Sequence, residues 1–271
     1  AVVGHYNSGV QIPSSEEYHS ANLANVSPAN TNPKVTERGY VEVSRICGRD
    51  DVQGSVGANY ASTKGIKSAY VLHDKTAYGQ GIAEYFKREA ERLGMQVLGF
   101  AGTEEKANFD SILSPVLASK PEAIYFGGMA DQAAVLFKTA RQKGYMGMFL
   151  SDDGFDTSDA TKIGGAALLE GAGTYFSTVA GPANVYPGTA KFITDFKAKF
   201  GAEPQPFAAQ SYDCMAIVLS ALESAIKKAG GKMPARADVT AAVRAIKNFP
   251  GIELPRLLEK IQTLLNKAAT A

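Results

Sequence analysis

Four polar residues stand where an α/β chain would present chemistry, each just past a short apolar run: Ser8, Thr31, Tyr78 and Asp153. Ser8 lies at a strand end just before a helix. That position offers a hydroxyl, backbone N–H groups and the positive end of a helix dipole, a combination suited to a carboxylate. Thr31 lies in a second strand-end loop together with Ala29. Tyr78 and Asp153 belong to strand ends further along the chain. An anion opposite a carboxylate-binding loop is what a zwitterion requires, since an unpaired buried charge is costly. Ordinary capping, turn chemistry and loop solvation remain open as readings of all four.

Other arrangements fail on pattern. Gly79-Gln80-Gly81 followed by Glu84 lacks the last glycine of a dinucleotide fingerprint and sits several residues past its strand. There is no P-loop and no nucleophile elbow. His5 and Ser8 lack a third orienting partner for base and nucleophile. With His19 and His73 they give three histidines without ligand spacing. Cys47 and Cys214 are too few and too far apart for a metal site, and the sequence leaves open free thiols or one disulfide. The expectation is a non-enzyme, with no catalytic residue, metal or cofactor.

Elements that position the four residues are legible from periodicity. Ala69–His73 reads as a buried strand, followed by a loop over 74–79 and a helix with Ile82, Tyr85, Phe86, Ala90 and Leu93 on helical spacing, stopped at Gly94. The pattern repeats. A strand at Gln96–Phe100 precedes a helix at Phe109–Leu117. A strand at Ala123–Phe126 precedes a helix through Ala133, Leu136 and Phe137, and a strand at Met146–Leu150 ends in Ser151-Asp152-Asp153-Gly154. Repeated strand–helix units predict a parallel sheet with helices on both faces, binding ligands beyond the carboxyl ends of its strands. Nearer the start, Val2-Val3, Leu23–Val26 and Val41–Ile46 read as strands and Ile12–Ala21 as a helix. From about Gly181 the chain reads as mostly helical: Phe192, Phe196 and Phe200 are spaced by four, Met215–Ile226 is apolar, and Asp238 is placed to cap Val239–Ile246. A sheet of about three strands with an exposed apolar edge is a liability, so something is expected to cover it.

Composition bounds the function class. The 271 residues suffice for one large or two average domains, and 45% hydrophobic content excludes intrinsic disorder. Twenty-eight Lys+Arg against 27 Asp+Glu give a net charge of +1, so no charge excess points to nucleic acid or an anionic membrane. No apolar run reaches the roughly 18–20 residues of a membrane span. The opening Ala1-Val2-Val3-Gly4 carries no signal-peptide pattern.

At the loops the sequence resembles a known family. Gly4-His5-Tyr6-Asn7-Ser8-Gly9, Ser27-Pro28-Ala29-Asn30-Thr31-Asn32-Pro33, Gly48-Arg49-Asp50-Asp51-Val52-Gln53-Gly54, His73-Asp74-Lys75-Thr76-Ala77-Tyr78-Gly79-Gln80-Gly81 and Tyr125-Phe126-Gly127-Gly128 are similar, in order, to the type I periplasmic binding proteins of Leu/Ile/Val ABC transporters. The likeness runs from about residue 1 to about 250. It implies a two-lobed α/β fold, each lobe a parallel sheet flanked by helices, with residues 1–49 and 180–271 in the first lobe and 50–179 in the second. It implies a solute-binding protein that closes around a small branched-chain-like amino acid and delivers it to a membrane permease, in the periplasm or outside the cell. By the same resemblance Ser8 and Thr31 would bind the ligand carboxylate, the Ala29 carbonyl and Asp153 its ammonium, and Tyr78 would join on closure. Met129 stands at a position often aromatic in the family, Phe207 where an aromatic often lies near the ligand side chain, and Asp153 is one methylene shorter than the usual Glu. Alternatives are a ligand-sensing receptor or regulator of the same fold, or a fragment or engineered module that no longer binds. Relative to the family, the first roughly seventy residues and the usual C-terminal segment are expected to be missing, leaving the first lobe's sheet incomplete. In place of that segment, Leu254, Leu257, Leu258, Ile261, Leu264 and Leu265 form a stripe at 3–4 spacing, an amphipathic helix available for covering the edge or for self-association.

Overall fold

A computed structural model describes residues 1–249 and 251. The stripe from Leu254 to Leu265 lies outside the described residues. The chain divides into two compact units, one of residues 1–47 with the segment from 180 onward, the other of residues 48–179. The boundary falls two residues before the expected one.

In the second unit five parallel strands form a sheet: β4 (Ser68–His73), β5 (Gln96–Gly102), β6 (Ala123–Gly127), β7 (Met148–Ser151) and β8 (Thr174–Phe176), in the order β5-β4-β6-β7-β8. Helix α3 (Asp50–Thr63) leads into β4, and α4 (Gly79–Arg92), α5 (Asp110–Ser119) and α6 (Ala130–Gln142) connect the strands from β4 to β7. A parallel sheet buries both faces, so its inner strands are apolar throughout, and all of β6 is buried. Alternation along β6 sends Ile124 and Phe126 into one core with Leu72, Phe137 and Phe149. Ala123 and Tyr125 go into the other with Val71, Phe86 and Leu150. On α4, Ile82, Ala83, Phe86 and Ala90 form the buried stripe. Beyond it Gly94, at φ +78°, takes the left-handed conformation that ends the helix.

Helices α3 and α4 approach closely because α3 carries Gly54. A Cβ there would lie 2.7 Å from the Ile82 carbonyl oxygen and 2.9 Å from the Phe86 nitrogen, both backbone atoms of α4. The strand β8 had no clear signal in the sequence: it has three residues, and Tyr175 and Phe176 are exposed at the sheet edge.

The first unit holds a three-stranded parallel sheet, β1 (Val2–Val3), β2 (Asn25–Ser27) and β3 (Val43–Arg45), in that order. With it go α1 (Ser8–Ser20), α2 (Lys34–Glu37), α8 (Ala190–Phe200), α9 (Ala208–Lys228) and α10 (Arg236–Ala245); α7 (Ser158–Gly164) belongs to the second unit. Ala24 and Val26 pack against Cys214, Val218, Ala221 and Val243. Both cysteines are free thiols, Cys214 buried and Cys47 half-buried.

Among the differences from the sequence reading, three concern helix starts. Helix α1 starts at Ser8, four residues before the expected Ile12, and carries Pro13 inside it. Proline signals a first turn, but here a turn of helix precedes it at the loss of one backbone hydrogen bond. Helix α9 starts at Ala208, seven residues before the expected Met215. Asp238 is in the first turn of α10 rather than its cap, which is Ala235. There a carboxylate favours the helix through the dipole. Among the described residues no helix is long and apolar enough to cross a membrane.

Candidate functional site

In the first unit two loops meet at the carboxyl ends of β1 and β2. Asn30 ties them: its Oδ1 accepts from the His5 N–H (3.0 Å) and the Ser27 hydroxyl (2.6 Å), and its Nδ2 donates to the Tyr6 carbonyl (2.8 Å). Ser8 opens α1, and the Asn7 side chain makes no capping bond to that helix. The Ser8 hydroxyl oxygen accepts from the Asn32 N–H at 3.3 Å, which joins it to the loop carrying Ala29 and Thr31. Ser8, Ala29 and Thr31 are all buried. The Thr31 hydroxyl is enclosed and has no hydrogen-bond partner among the described residues, a state that costs free energy unless something arrives to satisfy it. Phe207 caps α9 in a left-handed conformation and meets Tyr6 edge-on at 5.9 Å. The sequence-derived residues Ser8, Ala29, Thr31 and Phe207 thus belong to one cluster, which offers hydroxyls and a helix N-terminus.

His5 is not part of a nucleophile pair with Ser8. Its ring nitrogen is 2.6 Å from the Tyr18 hydroxyl.

In the second unit the ends of β4, β6 and β7 build a cluster of opposite polarity. Tyr78 precedes α4, and its position is set by a close crossing: a Cβ on Gly79 would collide with the Gly127 carbonyl and the Asp74 carboxylate. The glycine that reads as half a nucleotide fingerprint is there for this contact. Asp74 accepts from the Thr76 N–H (2.8 Å) and hydroxyl (2.7 Å), and the Thr76 hydroxyl accepts from the Gly79 N–H (2.9 Å). So placed, the Tyr78 hydroxyl donates to Asp153 Oδ1 at 2.8 Å and accepts from the Gly154 N–H at 2.9 Å. Asp152 accepts from the N–H groups of Gly128 (2.9 Å) and Gly154 (3.1 Å). Met129 follows Gly128 as the N-cap of α6 and is half-buried.

Burial dominates the electrostatics of this cluster. It pushes the Asp153 carboxyl up to about 6, against hydrogen bonds from Tyr78 and Gln53 that favour ionisation. Asp152 is raised well above the carboxylate range by burial and then by the charge of Asp153. Two adjacent buried carboxyls keep a proton to higher pH than either alone. Asp50, buried at the start of α3, adds a third carboxyl to the field around Tyr78, Tyr125 and Asp152. The Tyr125 hydroxyl is enclosed without a hydrogen-bond partner among the described residues. Among the described residues no group of His, Cys, Asp or Glu is arranged to hold a metal ion.

Sequence reasoning passed over Asn30, Asp50, Gln53, Tyr125 and Asp152. Asp50 and Gln53 stand three apart in Gly48-Arg49-Asp50-Asp51-Val52-Gln53, a first-turn spacing that would have placed both on one helix face. Asp152 was visible as the neighbour of Asp153. Asn30 and Tyr125 carried no signal beyond their motifs.

Comparison with known proteins gives a consistent result. The sequence profile described as periplasmic binding protein matches residues 1–264. An amino acid binding protein of Pseudomonas aeruginosa is 35% identical over 240 residues, covering 88% of this chain and 62% of the relative. A Leu/Ile/Val-binding protein homolog of Brucella suis is 33% identical over 236 residues, covering 86% and 61%. The chain therefore spans under two thirds of the length of either relative. The crystal structure of a leucine binding protein from Thermotoga maritima aligns with a TM-score of 0.81 at 31% identity, covering 93% of this chain and 70% of that one.

Proposed function

This chain belongs to the periplasmic binding protein family, and we infer that it captures a small aliphatic amino acid. The observation that carries this reading is the division of polarity: one cluster offers hydroxyls and a helix N-terminus, the other buried carboxyls with a phenol. A zwitterion satisfies both at once. Ser8 and Thr31 bind the carboxylate, the Thr31 hydroxyl supplying a donor that has no partner among the described residues. Asp153, held by Tyr78, pairs with the ammonium, and the Ala29 carbonyl accepts from it. Met129 and Phe207 line the ligand's side chain, which favours an apolar one of branched-chain size. The relatives named for amino acid, Leu/Ile/Val and leucine binding support that choice.

The mechanism follows from which contacts exist when. A ligand that binds one conformation of the chain better than another shifts the equilibrium between them by its differential affinity. Delivery to the permease of an ABC importer, in the periplasm or at the cell exterior, completes the role. Replacing Asp153 by Ala leaves a buried ammonium unpaired and is expected to weaken amino-acid binding by about 2–4 kcal/mol in calorimetry. Unchanged affinity in that variant overturns the assignment.

A further inference from the structure

We propose that Arg45 is the positioning residue of the carboxylate half-site, curling the loop that carries Thr31 so that its donors face the ligand; this rests on the amino-acid reading above. Arg45 ends β3 in register with Ser27, the last residue of β2, so its side chain emerges beside the loop that follows. One guanidinium nitrogen, Nη1, donates to the carbonyls of three consecutive residues: Asn30 at 3.1 Å, Thr31 at 3.0 Å and Asn32 at 2.9 Å. The other, Nη2, donates to the Thr36 hydroxyl in α2 at 2.8 Å. Consecutive carbonyls of an extended chain point to opposite sides. Three that converge on one nitrogen enforce a curl, which turns the intervening N–H groups the other way.

That other side is where the candidate site lies. The Asn32 N–H reaches Ser8 at 3.3 Å, and the unpartnered Thr31 hydroxyl belongs to the same turn. Arg45 therefore touches none of the groups assigned to ligand, yet sets the backbone on which two of them depend. Its charge also lies at the negative ends of the peptide dipoles, so the N–H ends are more positive toward an anion. Lysine substitutes only in part: its ammonium has three N–H donors for the carbonyls but no second nitrogen to reach the Thr36 hydroxyl.

The test compares L-leucine with L-leucinamide, which keeps the ammonium but lacks the carboxylate, by calorimetry on the full chain. Arg45→Met is expected to lower L-leucine affinity at least tenfold, Arg45→Lys by less, and each to shrink the preference for leucine over leucinamide by the factor it costs leucine. Thr36→Val, which removes the hydroxyl that accepts from Nη2 but keeps the charge, is expected to give a smaller loss with the same narrowing. A general weakening of the fold would lower both affinities equally, and an unchanged preference overturns the proposal. Should Arg45→Met fail to fold by circular dichroism, Thr36→Val decides alone. If the unaltered chain binds no L-leucine, the amino-acid reading falls together with this one; if it binds and the variants keep the preference, only this one falls.

Discussion

Asp153 is held by a phenol, kept out of water and set beside a second buried carboxyl, and each of these affects when it ionises. The folded chain holds this proton more tightly than the unfolded chain, so the proton stabilises the fold at low pH and that contribution fades as pH rises through about 6. Ligand capture runs the other way, because an ammonium pairs only with the ionised form. Affinity is thus expected to rise as pH climbs through about 6 and to level off above it. Below that point it should fall by up to tenfold per pH unit for one linked proton. Calorimetry across pH 4.5 to 8 checks this, and Asp153→Asn should flatten the profile. The type of each candidate residue was legible, since Ser8, Thr31, Tyr78 and Asp153 all follow apolar runs. Their burial was not, because it depends on elements distant in sequence: Tyr78 and Asp153 are 75 residues apart.

Elements were read best where one periodicity ruled. Strand β6 is continuously apolar because both its faces are covered, and α4 shows its stripe because one face is. Reading failed where local signals conflict with tertiary context. Pro13 misplaced the start of α1, and β8 is too short and too exposed to alternate clearly. The glycines of α3 were equally mute, since nothing in the sequence says that Gly54 faces backbone. Their effect is measurable. Gly54→Val drives side-chain carbons into the α4 backbone at Ile82 and Phe86. It is expected to destabilise the chain by about 1–3 kcal/mol, the cost of overpacking. Chemical denaturation checks it; stability equal to the parent would show that α3 and α4 separate freely.

At the scale of the whole molecule, the chain crosses between units after Cys47 and after Val179, so each unit's cluster is built independently. The motifs that resemble the Leu/Ile/Val-binding proteins fall in both units, which is why family membership was readable from loops alone. Near-balanced charge, with net +1, gave no competing pull toward nucleic acid or membrane. A ligand that binds only the folded chain stabilises it by about 2.7 kcal/mol at a hundred times its Kd. The most direct test is the thermal melting of the full chain against each of the twenty amino acids in turn. A rise in Tm of several degrees with one or a few aliphatic amino acids is expected; a melting temperature unmoved by all twenty contradicts amino-acid capture.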